Sequence, residues 1–193
     1  MLARDHGGER RHAAGTDVSA LHREYASFVS GFVQRLGVSA ADAPDLVQEV
    51  FLLAHEKGGY QPGAASPRTW LANLALGKAR NLRRKQSRRA AVAPDSRAVN
   101  DAPDTGAVAR LDEQLDRRQR LQIVQRALDR LDEDSRIVFM LYELEGERCA
   151  AIAAGLGVAL GTVHSRLHAA RRKFRAAFEL ENRTPSTTER ETR

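Results

Sequence analysis

Trp70-Leu-Ala-Asn-Leu-Ala-Leu-Gly-Lys-Ala-Arg-Asn-Leu-Arg-Arg-Lys-Gln-Ser-Arg-Arg89 reads as one amphipathic helix with two unlike faces. At helical period Trp70, Leu71, Leu74, Ala75 and Leu82 share one side, while Asn73, Gly77, Arg80 and Arg84 recur at i, i+4, i+7 and i+11 on the other. The first face suits a core and the second suits an anion. From Lys57 to Pro94 there is no Asp or Glu against nine Lys or Arg. A charge run of this kind is often no more than a solvated face. Here it shares a helix with two asparagines, which can hydrogen-bond base edges as well as phosphates, and nucleic acid is the better reading.

The flanking segments continue the helical pattern. Ser19 is the expected N-cap of a helix carrying Leu21, Tyr25, Phe28, Val29, Phe32 and Leu36 inward and closing at Gly37. A second helix is expected from Asp42 as cap, with Pro44 and Asp45 in its first turn and Leu46, Val47, Val50, Phe51 and Ala54 inward. Asp45, Gln48, Glu49 and Leu52 remain outside, an acidic and amide stripe with one exposed leucine. By itself such a stripe is an ordinary solvated face. Lys57 to Pro67 is rich in Gly and Pro and reads as a loop that delivers the chain to the basic helix near Thr69.

After Arg89 the composition shifts to Ala, Pro, Asp, Val and Gly, so residues 90–110 are expected to be a flexible linker. Beyond it, Leu111, Leu115, Leu121, Val124, Leu128 and Leu131 supply the apolar positions of a mixed-charge helix. Asp132 or Asp134 is expected to cap the next, which carries Ile137, Val138, Leu141 and Leu144 to Gly146. Then comes Cys149-Ala-Ala-Ile-Ala-Ala-Gly-Leu-Gly-Val-Ala-Leu-Gly-Thr-Val-His-Ser-Arg-Leu-His-Ala-Ala-Arg-Arg-Lys-Phe174, again without an acid. A short helix, a turn at Gly155 to Gly157 and a longer helix from near Gly161, with Val163, Leu167, Ala170 and Phe174 inward, have helix-turn-helix spacing. Thr162, Ser165, His168 and Arg172 face away from that core, flanked by His164, Arg166, Arg171 and Lys173. Small polar groups at the N-terminal end suit a major groove, and the cations behind them suit phosphates.

Composition agrees with this organisation. Hydrophobic residues make up 42% of 193 residues and aromatics 5%, enough for compact helical cores and poor for sheet. The formal charge of +6 favours a polyanionic partner. No apolar run approaches the roughly 20 residues of a bilayer span, so no membrane insertion and a cytoplasmic location are expected. The single cysteine, Cys149, excludes an internal disulfide, and the six histidines have no metal-ligand spacing with it. No metal and no cofactor are expected. Nor is an enzyme: the chain has no nucleophile with an orienting base and no phosphate-cradling glycine loop. The expected fold is all-α, two small helical domains joined by the linker. Its boundaries are a disordered leader 1–17, a first domain 18–89, the linker 90–110, a second domain 111–180 and a disordered tail 181–193.

The order of these parts resembles the bacterial sigma factors of the extracytoplasmic-function group in the sigma-70 family. Residues 18–89 look like region 2 of that family and residues 121–178 like region 4. Three motifs carry the resemblance: Asp42-Ala-Pro-Asp-Leu-Val-Gln-Glu-Val-Phe51, then Trp70-Leu-Ala-Asn-Leu-Ala75 with the following Arg-Arg-Lys cluster, then Gly161-Thr-Val-His-Ser-Arg-Leu-His-Ala-Ala-Arg171. The resemblance implies that Asp45, Leu46, Gln48, Glu49 and Leu52 dock on the clamp coiled coil of core RNA polymerase, which reverses the bland reading of that stripe. It implies that the loop from Tyr60 and the helix carrying Trp70, Asn73, Lys78, Arg80, Asn81, Arg83, Arg84 and Lys85 read a melted minus-ten element. It implies that Thr162, His164, Ser165, Arg166, His168, Arg171, Arg172 and Lys173 read a duplex minus-thirty-five element in promoter DNA. An anti-sigma factor is a further implied partner, and the free protein is expected to be monomeric.

Two departures from the family pattern stand out. Gly77 occupies a place where an Asn is usual, and Ala151 one where a Glu precedes the Ile-Ala of the helix-turn-helix. Two rival functions remain compatible with the residues alone. One is a dimeric helix-turn-helix regulator of duplex DNA, which leaves the first domain without a role. The other is an interaction protein that keeps the scaffold and sequesters polymerase or an anti-sigma factor.

Overall fold

The computed structural model describes residues 17–92 and 111–183. Most of the expected leader, of the linker and of the tail lies outside the described residues, Asp17 excepted. Among the described residues there are seven α-helices, one π-helical turn and no strand: α1 (Val18–Arg35), α2 (Ala43–Glu56), α3 (Pro67–Val92), α4 (Leu111–Asp129), α5 (Glu133–Phe139), the π turn (Met140–Leu144), α6 (Cys149–Leu156) and α7 (Leu160–Arg183).

In the first half α1, α2 and α3 all pack on one another. Their shared core is Leu21, Val29, Phe32 and Val33 of α1 with Leu36 at its C-cap, Leu46, Val50, Phe51 and Ala54 of α2, and Leu71, Leu74, Ala75 and Ala79 of α3. Gly37 ends α1 at φ +85°, the left-handed conformation that lets the Val38 N–H return to the Val33 carbonyl at 3.2 Å. In the second half α7 lies against α4, α5 and α6. Val163, Leu167 and Ala170 of α7 meet Leu128, Ile137, Val138, Met140 and Ile152 there. The axes of α6 and α7 turn by 110°, within the range of a helix-turn-helix corner. Gly157 makes the corner possible at φ +67°, with the Val158 N–H on the Ala153 carbonyl at 3.0 Å.

Several helix starts differ from expectation, each for a local reason. The cap of α1 is Asp17, whose carboxylate accepts from the Ser19 N–H at 3.3 Å, and Ser19 already lies inside the helix. Asp42 does not cap α2. At φ −87°, ψ −19° it is itself helical, and its carboxylate accepts from the Ser39 hydroxyl at 2.7 Å and the Gln86 amide at 3.1 Å. Pro67 starts α3 rather than preventing it: Ser66 Oγ accepts from the Thr69 N–H at 3.1 Å, and proline is pre-set for a first turn whose N–H needs no partner. Of the two alternatives for α5, Asp132 is the cap, accepting from the Ser135 N–H at 2.9 Å. Leu121 is 60% exposed instead of facing the core. Helices α3 and α7 continue to Val92 and Arg183, past the expected boundaries at 89 and 180.

The two halves touch each other. Helix α6 packs across α3, and one apolar cluster runs through both. At the crossing, a Cβ added to Gly155 would stand 2.2 Å from Thr69 Cγ2 and 3.3 Å from its backbone carbon, so only glycine allows this approach. Thr69 is fully buried.

Candidate nucleic-acid interface

Helix α3 divides as its periodicity requires. Leu71, Ala72, Leu74, Ala75, Leu76 and Ala79 are buried, and Asn73, Gly77, Arg80, Asn81, Arg84 and Lys85 are exposed. Every turn of the exposed face presents an amide or a cation. Between α2 and α3 lies an open groove of about 240 Å³ lined by Glu49, Lys78, Asn81, Arg84, Lys85 and Arg88. Four cations on one wall suit a phosphate backbone, and the Asn81 amide among them suits a base edge. Lys78 is held by Glu49 at 3.2 Å, and the Arg84 guanidinium donates to the Asn81 side-chain oxygen.

Asp45, Gln48, Glu49 and Leu52 form an exposed row on α2, with Leu52 62% exposed. Two residues expected in binding surfaces turn inward instead. Leu46 is 3% exposed and belongs to the core of the first half, which removes it from the docking row. Tyr60 is 8% exposed; its ring lies 5.9 Å from that of Trp70 and its hydroxyl donates to the Ala65 carbonyl at 2.6 Å. Tyr60 therefore shapes the loop and supports Trp70, which is half-buried, and offers no free ring for a base to stack on. The periodicity of α2 had already put Leu46 inward, whereas nothing local to a loop tyrosine reveals its burial.

Helix α7 exposes His164, Ser165, His168, Arg171, Arg172 and Lys173, with Thr162 and Arg166 half-buried. The Ser165 hydroxyl donates back to the Thr162 carbonyl at 3.0 Å, so in this arrangement its hydrogen is occupied. Most of the cations are already paired. Arg166 meets Asp134 at 2.5 Å, Arg171 meets Glu143 at 2.5 Å with its guanidinium 5.1 Å from the Tyr142 ring, and Lys173 meets Asp132 at 3.2 Å. Arg172 has no ion pair among the described residues. Burial opposes the charged form of Asp132, yet the Ser135 N–H and hydroxyl and the Lys173 ammonium outweigh it and hold the carboxyl at about 2.

Asp134 is expected from sequence only as an alternative cap of α5, and Glu133 is given no role there; both lie in the first turn of that helix. They reach across to α3: Arg80 Nε donates to Glu133 at 2.6 Å, Arg80 Nη2 to Asp134 at 2.7 Å, and Arg83 to Glu133 and, at 2.6 Å, to the Leu36 carbonyl. The Glu133 hydrogen bonds raise the Arg80 pKa further, and although burial works against the Glu133 carboxylate, Arg80 and Arg83 hold it below its ordinary range. Glu145, just beyond the π turn, also pairs with the first half, meeting Arg35 and Arg68 at 3.4 Å each. A residue's role as helix cap is legible locally; its pairing with a cation some fifty positions away is not.

No cluster of His, Cys, Asp and Glu fit to hold a metal occurs among the described residues.

Comparison with known proteins follows the same division. Residues 21–89 match the model of Sigma-70 region 2, and residues 121–174 that of Sigma-70, region 4. The chain is 34% identical over 151 residues to the ECF RNA polymerase sigma-E factor of Escherichia coli (strain K12), covering 76% of this chain and 78% of that protein. It is 33% identical over 158 residues to the ECF RNA polymerase sigma factor SigE of Mycolicibacterium smegmatis (strain ATCC 700084 / mc(2)155), covering 80% of this chain and 59% of that one. The fold is shared with the sigma factor RpoE in its complex with the anti-sigma factor NepR from Bartonella quintana, at a TM-score of 0.64 and 22% identity over 84% of this chain and 96% of that chain. It is also shared with CnrH in complex with the cytosolic domain of CnrY, at a TM-score of 0.59 and 24% identity over 84% of this chain and 88% of that one.

Proposed function

The chain belongs to the extracytoplasmic-function sigma factors of the sigma-70 family, a family of non-catalytic transcription regulators, and we propose from that premise how its surfaces divide the work of initiation. Asp45, Gln48, Glu49 and Leu52 dock on core RNA polymerase. Asn73, Asn81, Arg84 and Lys85, with Arg80 and Arg83 once free, hold the melted minus-ten strand. Thr162, His164, Ser165, His168 and Arg172, with Arg166, Arg171 and Lys173 on the phosphates, read the minus-thirty-five duplex. Residues 18–89 and 111–180 are the two units, joined by 90–110. The protein does no chemistry itself: its cations bind phosphate, its amides select bases, and capture of unstacked bases favours the melted state while polymerase joins nucleotides.

The observation that carries this reading is the exposed face of α3, whose amides and cations recur at helical period beside a cationic groove and back to back with a fully apolar face. Gly77 sits in the middle of that face, and nothing lies within 4 Å of the Cβ it lacks. Base selection there falls to Asn73 and Asn81 on either side.

Among the described residues no single helix is long and apolar enough to cross a membrane, in keeping with a cytoplasmic factor. A regulator of the anti-sigma kind is the expected partner in the resting cell, since the two solved structures named above contain such a chain or a cytosolic domain.

Run-off transcription with purified core polymerase on a library of promoter sequences tests the proposal. Protein-dependent transcripts with an enriched pair of elements are expected, together with loss of polymerase binding in Gln48→Ala/Leu52→Ala. Polymerase binding without transcripts would favour a sequestering protein, and a palindromic duplex footprint without polymerase would favour a dimeric regulator.

A further inference from the structure

Five ion pairs between described residues cross the two halves with the cation on the first half and the carboxylate on the second. Arg80 and Arg83 meet Glu133 and Asp134, and Arg35 and Arg68 meet Glu145. Asp134 is shared: one oxygen holds Arg80 of α3 at 2.7 Å, and the other holds Arg166 of α7 at 2.5 Å. A single carboxylate thus occupies one arginine from each of the two basic helices. Beside it, a cleft of about 150 Å³ between the halves is lined by Asn73, Arg80 and Asp134 together with Ile137, Val158 and Arg166. The Asn73 edge of the α3 face therefore opens onto the second half rather than onto unobstructed solvent.

From this placement we propose that Glu133 and Asp134 act as an internal stand-in for nucleic-acid phosphate. They latch the free protein in a closed form in which Arg80, Arg83 and Arg166 are withheld from DNA. The inference rests on α3 being the DNA-reading helix. The chemistry of the latch matches that of its competitor, since a pair of carboxylates presents oxygens to a guanidinium much as a phosphate does. The latch is also weak by construction. Its ion pairs are only partly buried, with the Arg80 side chain 48%, the Asp134 side chain 42% and the Glu133 side chain 25% exposed, and such pairs can be screened or exchanged. Closure consequently depends as well on the dry crossing of α6 on α3, where Gly155 touches Thr69. Polyanion binding removes the charged half of the contact, and opening then also requires the crossing of α6 on α3 to part.

Two variants attack the latch by unrelated routes. Glu133→Gln/Asp134→Asn removes the charges at nearly constant shape and leaves the Asp132 cap in place. Gly155→Ala changes no charge: alanine is the better helix former within α6, but its methyl group cannot fit against Thr69. The full-length chain, with Cys149→Ala and donor and acceptor dyes on cysteines introduced at exposed His55 and Ala176, reports the separation of the halves by energy transfer. The parent is expected to show high transfer at about 0.05 M NaCl that falls toward about 0.5 M, and to lose it on adding a mixed-sequence single-stranded DNA of about 20 nucleotides. Both variants, with helix content unchanged by circular dichroism, are expected to show low transfer at low salt and to bind that DNA about threefold to tenfold tighter, because the competent form no longer has to be released first. Equal transfer in the parent and both variants would overturn the latch. Open variants with unchanged DNA affinity would overturn the occlusion of the arginines. Absence of DNA binding in every protein, with the variants still open, would refute the minus-ten reading of α3 while supporting the closed contact.

Discussion

The two basic helices look alike in sequence and are supported in opposite ways. Helix α7 is buttressed from within its own half: Asp132, Asp134 and Glu143 hold Lys173, Arg166 and Arg171 along its surface, and Val163, Leu167 and Ala170 fix its inner face. Helix α3 runs on past its core, so that Arg84, Lys85, Arg88 and Arg89 have no ion pair among the described residues although Glu49 lines the same groove, while Arg80 and Arg83 borrow theirs from the other half. A helix that reads duplex DNA has to arrive preformed, because it meets a fixed groove. One that captures a melted strand gains more from unsatisfied charge along a backbone path. The contrast in ion pairing matches the contrast in proposed target.

The largest effect should come from the cores beneath the two faces. Leu71→Ala empties a fully buried position under α3 and should cost about 2–5 kcal/mol, read as the loss of stability in urea unfolding. If the halves unfold in one transition, Val163→Ala beneath α7 should shift the same transition; two transitions, each responding to one variant, would show that the crossing of α6 on α3 does not couple them. Next, Arg80→Ala/Arg84→Ala should weaken binding to melted promoter DNA and reduce the slope of log affinity against log salt by about 1.4, at about 0.7 for each single-strand phosphate contact. Arg172→Ala should instead weaken duplex binding and leave the melted strand unaffected. An unchanged salt slope in the first variant would remove α3 from the DNA face.

Smaller effects sharpen the contrast in support. Asp132 caps α5 and holds Lys173 of α7, so Asp132→Ala should cost about 1 kcal/mol, the usual loss of an N-cap, with no separate credit for an exposed ion pair. Its carboxyl is depressed in the folded state from 3.8 to about 2, so its contribution is complete above about pH 4 and lost as the pH falls toward 2. The difference in urea midpoint between parent and variant should therefore shrink as the pH falls from about 4 to about 2 and disappear below that, and a difference undiminished at pH 2 would show that its charge is not what matters. Smallest of all, Gly77→Ala should raise stability by about 0.5–1 kcal/mol, because nothing lies within 4 Å of the new methyl group in an exposed helix interior. A lower melting temperature would mean that α3 is not a regular helix there in solution.

The inward and outward faces of α3 and α7 were readable from spacing alone because a helix repeats every 3.6 residues whatever surrounds it. The same rule made Leu52 exposed and Leu46 buried, and only the family resemblance drew Leu46 into a docking surface. Tyr60 was missed for a different reason: a loop has no periodicity, and its hydroxyl is satisfied by the Ala65 carbonyl, a contact set by how the loop folds. Helix starts were approximate where two capping residues stood close together, as with Asp17 and Ser19, or where proline read as a breaker proved to be a first-turn residue, as with Pro67.

By itself the sequence determined the all-helical class, the two basic helical faces, a helix-turn-helix corner between Gly155 and Gly157, which the structure narrows to Gly157, and the family. These rest on local periodicity, composition and short motifs, which hold within a few turns of chain. Only the tertiary structure decided which cations are available. Arg80, Arg84 and Arg166 are equivalent as letters, yet Arg80 and Arg166 converge on Asp134 while Arg84 faces the groove beside Asn81. A Coulombic pair depends on distance in space, and the distance from α3 to the first turn of α5 is set by the packing of Gly155 on Thr69, a contact between positions far apart in the chain.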